Sequence, residues 1–188
     1  FLHAPLFHPA LKVVGPIRKN LGVKTFFNML GPLVNPANPC FQCTGVYSPE
    51  AGRVYSYFLQ AENKKFSVIH SLDGYDEVSL TSPVKLFTHE QETLIDFREK
   101  GLKNVQPENI RGGNTIKESA EIFISILENR ASPDQVSVAI ANSALAISCI
   151  DESKTMEESV ILAKEALTSG KALSVLKDLM NIQGKIKD

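Results

Sequence analysis

Two groups in this chain have side chains suited to a charged small molecule. One is the adjacent carboxylate pair Asp76-Glu77; the other is Arg18, set in Gly15-Pro16-Ile17-Arg18-Lys19. A carboxylate pair suits a hard cation such as Mg²⁺, which is usually held by one or two carboxylates plus substrate phosphates and water. Arginine offers a planar fork of donors that matches a carboxylate or phosphate. Each group also has a plain structural reading, Asp73-Gly74-Tyr75-Asp76-Glu77 as a solvated acidic turn and Arg18 as a surface charge. Two stretches flank Arg18: His8-Pro9-Ala10-Leu11-Lys12 before it, and Thr25-Phe26-Phe27-Asn28-Met29-Leu30-Gly31-Pro32-Leu33-Val34-Asn35-Pro36 after it. Proline fixes the backbone and glycine permits close approach, so a run of this kind more often shapes a site than fills a core.

The order of these motifs carries a resemblance. H-P-A-L-K, P-x-R-K-x-L-G and F-N-x-L-G-P-L-x-N-P come first. Asp73–Ser79, Arg111-Gly112-Gly113, Asn142 and Ser169-Gly170-Lys171-Ala172-Leu173 follow. Any one motif is weak, but their order and spacing over nearly all 188 residues resemble the anthranilate phosphoribosyltransferases. That family joins a helical domain to an α/β domain, a plan shared with pyrimidine nucleoside phosphorylases. The resemblance implies a glycosyltransferase of the pentosyl class, working in tryptophan biosynthesis. Its substrates would be anthranilate and phosphoribosyl diphosphate, and its cofactor Mg²⁺.

Residue by residue, the resemblance assigns Asp76 and Glu77 to the magnesium that accompanies the diphosphate. It assigns Arg18 to the anthranilate carboxylate, and His8 and Gly31 to the lining of the anthranilate site. No residue is assigned a catalytic proton transfer. For His8 alone, a packed or surface imidazole is the plain alternative. Asn28, Pro32 and Asn35 are read as holding the shape of their loop. Asn142, in a helix among small apolar residues, is read as satisfying buried backbone. Arg111-Gly112-Gly113 resembles a phosphate loop only weakly and is read as a helix start.

Some family features are missing from the 188 residues. The glycine-rich G-T-G-G-D loop that cradles the diphosphate and the K-H-G-N-type segment lie upstream in full-length members, with most of the dimer-forming helical domain. Lys24 stands where arginine is usual and Ser119 where asparagine is usual. The expectation is therefore a carboxyl-terminal α/β part, inactive alone, of a protein that is a homodimer in full-length form. A nucleoside phosphorylase of the same fold, or a non-catalytic binding protein on this scaffold, are the rival readings.

Bulk properties agree with a globular enzyme part. With 43% hydrophobic and 22% charged residues the composition is that of an ordinary soluble domain, long enough for a real core. A net charge of −1 without a basic block argues against nucleic acid as the partner. No apolar run approaches the ~20 residues of a membrane span. Three cysteines, with nothing pointing to export, suggest a reducing cytoplasm. Cys40-Phe41-Gln42-Cys43 spells C-x-x-C, but it enters a strand-like run and has no second ligand pair, so it is read as packing.

The elements that must position these groups form one α/β domain over 1–188. Residues 1–38 are a substrate-site loop and turn segment with short helical pieces, 40–97 hold strands and a helix, and 115–184 form a helical tail. Strands are expected near 40–47, 66–70, 77–80, 83–88 and 93–97, with a hairpin turn at His89–Glu92. A helix near 49–61 shows Val54, Tyr55, Phe58 and Leu59 as its apolar stripe. In the tail, Ser132-Pro133-Asp134-Gln135 spells a capping box, Thr155 caps a further helix, and Gly170 ends it. The predicted fold class is α/β, a mixed and partly parallel sheet flanked by helices with a helical carboxyl-terminal tail. The family's small amino-terminal helical domain is largely missing.

Overall fold

Four strands and the helices that cover them are built in the order strand, helix, strand, hairpin, helices. The computed structural model describes residues 4–9, 13, 15–17, 20 and 27–185. Chain packing separates two compact units, Phe1–Cys40 and Phe41–Asp188. In the first, the described elements are helices α1 (Ala4–Phe7) and α2 (Phe27–Leu33), the latter with Pro32 inside it. Beyond α2, Asn35 Oδ1 accepts from the Ala37 N–H at 3.0 Å, so the Asn35 side chain holds the turn, as expected.

In the second unit, β1 (Phe41–Gly45) pairs in parallel with β2 (Lys65–Ser71). Helix α3 (Pro49–Ala61) makes the crossover that a parallel pair requires. It begins at Ser48, whose hydroxyl accepts from the Ala51 N–H, with Pro49 opening the first turn. β3 (Val84–Phe87) runs antiparallel to β2, and β4 (Glu92–Ile95) closes a hairpin with β3. The sheet order is β1-β2-β3-β4, mixed and partly parallel as predicted.

The tail comprises α4 (Ile116–Leu127), α5 (Pro133–Ile150), α6 (Met156–Thr168) and α7 (Lys171–Lys185). Ser132 and Gln135 form the capping box of α5, and Thr155 and Glu158 that of α6. Gly170, at a φ of 77°, follows the end of α6 in the left-handed conformation.

Side chains alternate across β2, so both of its faces are buried. Ile69 joins Val84 and Leu86 in a core with Ile140, Ala144 and Leu145 of α5 and Val160, Ala163 and Leu167 of α6. On the opposite face α3 lies against the sheet. Its buried residues are Ala51, Gly52, Tyr55, Ser56 and Leu59, while Val54 and Phe58 are exposed. The predicted stripe is thus rotated by part of a turn. Gly52 lets α3 approach Phe87 of β3, and an apolar pattern does not report small size.

Residues 77–80 do not form the predicted strand. Both backbone groups of Val78 are instead taken by one side chain, Asn142 of α5, so no strand partner is needed. Leu80 follows at a φ of 61°, a conformation no strand residue adopts.

Candidate functional site

The acidic segment leaves the carboxyl end of β2 as a tight turn. Ser71, fully buried, donates its N–H to the Tyr75 carbonyl and receives the Gly74 N–H on its own. Its hydroxyl donates to the Glu77 carbonyl at 2.6 Å. One residue further, Asn142 Oδ1 accepts the Val78 N–H at 2.9 Å and its Nδ2 donates to the Val78 carbonyl at 2.9 Å. On the other side of the turn, Gly45 at the end of β1 faces Asp76. A Cβ added at Gly45 would collide with the Asp76 carbonyl and reach 3.0 Å from the Asp76 Cβ.

The three acids of this turn have different fates. Asp73 is engaged within the loop, with Ser82 Oγ donating to it at 2.8 Å and Thr81 Oγ1 donating to its other oxygen. Asp76 and Glu77 are exposed, and no described side chain pairs with either carboxylate. They stand beyond the carboxyl ends of two parallel strands, the edge at which open α/β sheets bind ligands. Two free carboxylates, oxygen donors of −1 charge each, fit a hard divalent cation that completes its shell with phosphate and water. Among the described residues no group of three or more His, Cys, Asp or Glu could hold a metal, so the pair is all that the described part of this turn offers a cation.

In the first unit, His8 is half-buried just after α1, and Gly31 lies exposed in α2. An added Cβ at Gly31 would meet nothing within 4 Å. Arg18, with Lys12 and Lys24, lies outside the described residues. The structure therefore brings together Asp76 and Glu77, while Arg18, His8 and Gly31, expected to bind anthranilate, belong to the separately described unit.

The remaining motifs resolve plainly. Cys40 is exposed ahead of β1; Cys43 lies within β1 with an open outer surface. Desolvation by the protein around its thiol, and then Cys149, push it up to about 11, unsuited to thiolate chemistry at neutral pH. His70 is buried, with Nδ1 donating to the Val46 carbonyl at 2.9 Å. Gly112 and Gly113 precede Thr115, the N-cap of α4, and border a cavity of about 890 Å³ along that helix. Lys117, Glu118, Glu121 and Arg130 also line it, a mix of signs that converges on no one ligand charge, and none of the three acids of the β2 turn is part of it.

Ser71 and Gly45 escape a reading of the sequence. Their roles rest on partners 6 and 31 positions away across a turn and a crossover (77 − 71 and 76 − 45), so no local pattern reports them. The only hint is position, each being the last residue of a parallel strand.

A family model described as "Glycosyl transferase family, a/b domain" matches residues 1–173. The anthranilate phosphoribosyltransferase of Flavobacterium johnsoniae is 49% identical over 181 residues, covering 96% of this chain and 54% of the relative. The chain spans about half the length of the curated relatives it matches. Among solved structures, the anthranilate phosphoribosyltransferase of Thermus thermophilus superposes with a TM-score of 0.87 at 31% identity, over 95% of this chain and 54% of that one. The Saccharomyces cerevisiae enzyme in complex with PRPP and Mg gives a TM-score of 0.86 at 26% identity, over 94% and 51% of the two chains. The same yeast enzyme has been solved with 4-fluoroanthranilate, with a TM-score of 0.85 at 26% identity, over 94% and 52%.

Proposed function

This chain belongs to the glycosyl transferase family with an a/b domain, and from that premise we propose that the protein carrying it transfers the phosphoribosyl group of phosphoribosyl diphosphate to anthranilate. The observation that carries this reading is the exposed Asp76-Glu77, paired with no side chain among the described residues, at the carboxyl ends of β1 and β2. The two carboxylates would hold Mg²⁺ together with the diphosphate, and the ion would supply positive charge to stabilise that leaving group.

The protein's own task is mainly placement. The aromatic amine of anthranilate is neutral near pH 7, so it needs no strong base before attack. Its nitrogen forms a bond to C1 of the ribose while the bond from C1 to the diphosphate oxygen breaks, and the nitrogen then releases a proton. Arg18 clamps the carboxylate ortho to the amine and so aims the nitrogen, while His8 and Gly31 line the acceptor's site. The single α/β domain over 1–188 is supported by one family model running through both compact units. We read the protein as cytoplasmic. In full-length form it is read as a homodimer.

Loss of anthranilate fluorescence, with Mg²⁺ and phosphoribosyl diphosphate supplied, tests the reading. A full-length form should consume anthranilate, and the 188-residue chain alone, without a glycine-rich diphosphate loop, should not. Robust turnover by the chain alone, or none by the full-length form, would overturn it.

A further inference from the structure

Asn142 is a helix residue whose side chain binds mostly outside its helix. Its Nδ2 donates to two carbonyls, that of Val138 one turn earlier and that of Val78, each at 2.9 Å. Its Oδ1 accepts the Val78 N–H. The amide has one orientation available, because flipping it would set its oxygen against two carbonyl oxygens. The Val138 bond thus locks the amide, and the locked amide grips both backbone groups of a residue 64 positions away.

Val78 is itself fully buried and directly follows the exposed Glu77. Two residues upstream of the pair's end, the Tyr75 carbonyl is held by the Ser71 N–H, and the Glu77 carbonyl is held by the Ser71 hydroxyl. The backbone on both sides of the two carboxylates is therefore pinned, by buried Ser71 and by half-buried Asn142, while their side chains are left outside. Satisfying buried backbone would explain one such bond. It does not require that the bonds converge on the residues bracketing the acid pair.

We propose that Asn142 and Ser71 are positioning residues that hold the Asp76-Glu77 loop in the arrangement its divalent cation needs. This rests on the reading of Asp76 and Glu77 as magnesium ligands. Groups that orient metal ligands commonly matter to affinity nearly as much as the ligands do.

The test compares Asn142→Leu and Ser71→Ala with the double variant Asp76→Asn, Glu77→Gln in the full-length protein. Two quantities are read: Mn²⁺ binding by electron paramagnetic resonance with inorganic diphosphate present, and the Mg²⁺ concentration giving half-maximal transfer. The positioning variants should need roughly 10-fold more metal in both, with KM for anthranilate unchanged. A lower kcat at an unshifted metal requirement means a merely structural role and overturns the proposal. If the acid-pair variant alone shifts the metal requirement, positioning fails and the metal reading survives. If the acid-pair variant shifts nothing, the metal reading fails and takes the proposal with it. Should Asn142→Leu not fold, Ser71→Ala, which removes one hydroxyl, decides by the same two readings.

Discussion

Gly45 and Asp76 meet backbone to backbone, the end of β1 against the turn that leaves β2, with no room between them for a methyl group. This contact ties the acidic turn to the parallel edge of the sheet. Any side chain at 45 must push the Asp76 peptide outward. Gly45→Ala should therefore cost about 1–3 kcal/mol of stability, the usual price of overpacking. In a full-length form it should also raise the Mg²⁺ requirement. Urea unfolding and a magnesium titration check the two parts, and an unchanged midpoint and magnesium profile would show that the turn relaxes freely.

Asp76→Asn with Glu77→Gln keeps the shape of the pair and removes two charges. In the full-length enzyme, kcat/KM for phosphoribosyl diphosphate should fall on the order of 10²-fold or more, comparable to losing one preorganised electrostatic stabiliser. Thermal stability should change little, because both side chains are exposed and make no ion pair with a described residue. Near-normal activity would return the pair to the role of a solvated turn.

Arg18→Lys keeps a positive charge and loses the planar fork. KM for anthranilate should rise roughly 10- to 100-fold, the worth of a charge-assisted hydrogen bond of about 1.5–3 kcal/mol. KM for phosphoribosyl diphosphate should move much less. If the donor's KM carries the loss, Arg18 is a phosphate ligand and the acceptor assignment is wrong.

Acid should unfold the second unit progressively. The Asp151 carboxyl is held down to about 2, first by the Ser153 hydroxyl and then by Lys154. Glu92 is lowered first by Lys85, Asp96 by Arg98 and Glu157 by Lys100. Each proton binds more weakly in the folded chain, so each carboxylate stabilises the fold above its unfolded pKa and ceases to as pH falls through the folded one. For Asp151 the loss falls between about pH 4 and pH 2. Glu92 and Glu157 are exposed and Asp96 and Asp151 half-exposed, so solvent screens all four and each contribution is modest. The melting temperature should decline over that range, and less steeply in Asp151→Asn. A flat profile from pH 5 to pH 2 would contradict the assignment.

Much of this protein is legible in its residues taken in order. The capping boxes at Ser132 and Thr155, the left-handed Gly170 and the helix over 49–61 follow from interactions within a few positions of one another. Such interactions leave a local pattern. The motif order around Asp76-Glu77 likewise points to the family that the comparison with known proteins bears out.

The rest depends on contacts between distant positions. Which face of α3 is buried was decided by the close approach of Gly52 to Phe87, not by Val54 and Phe58. Residues 77–80 have the apolar character of a strand, yet Asn142 takes the hydrogen bonds of Val78 and leaves the segment irregular. Among three acids in one turn, only the fold distinguishes Asp73, bound to Thr81 and Ser82, from Asp76 and Glu77, which pair with no side chain among the described residues. The last two cases share one physical reason: a backbone or carboxylate group takes whichever partner the tertiary structure brings within hydrogen-bonding distance. The first is the same dependence in packing, since the neighbour that a small residue admits is chosen by folding rather than by nearness in the chain.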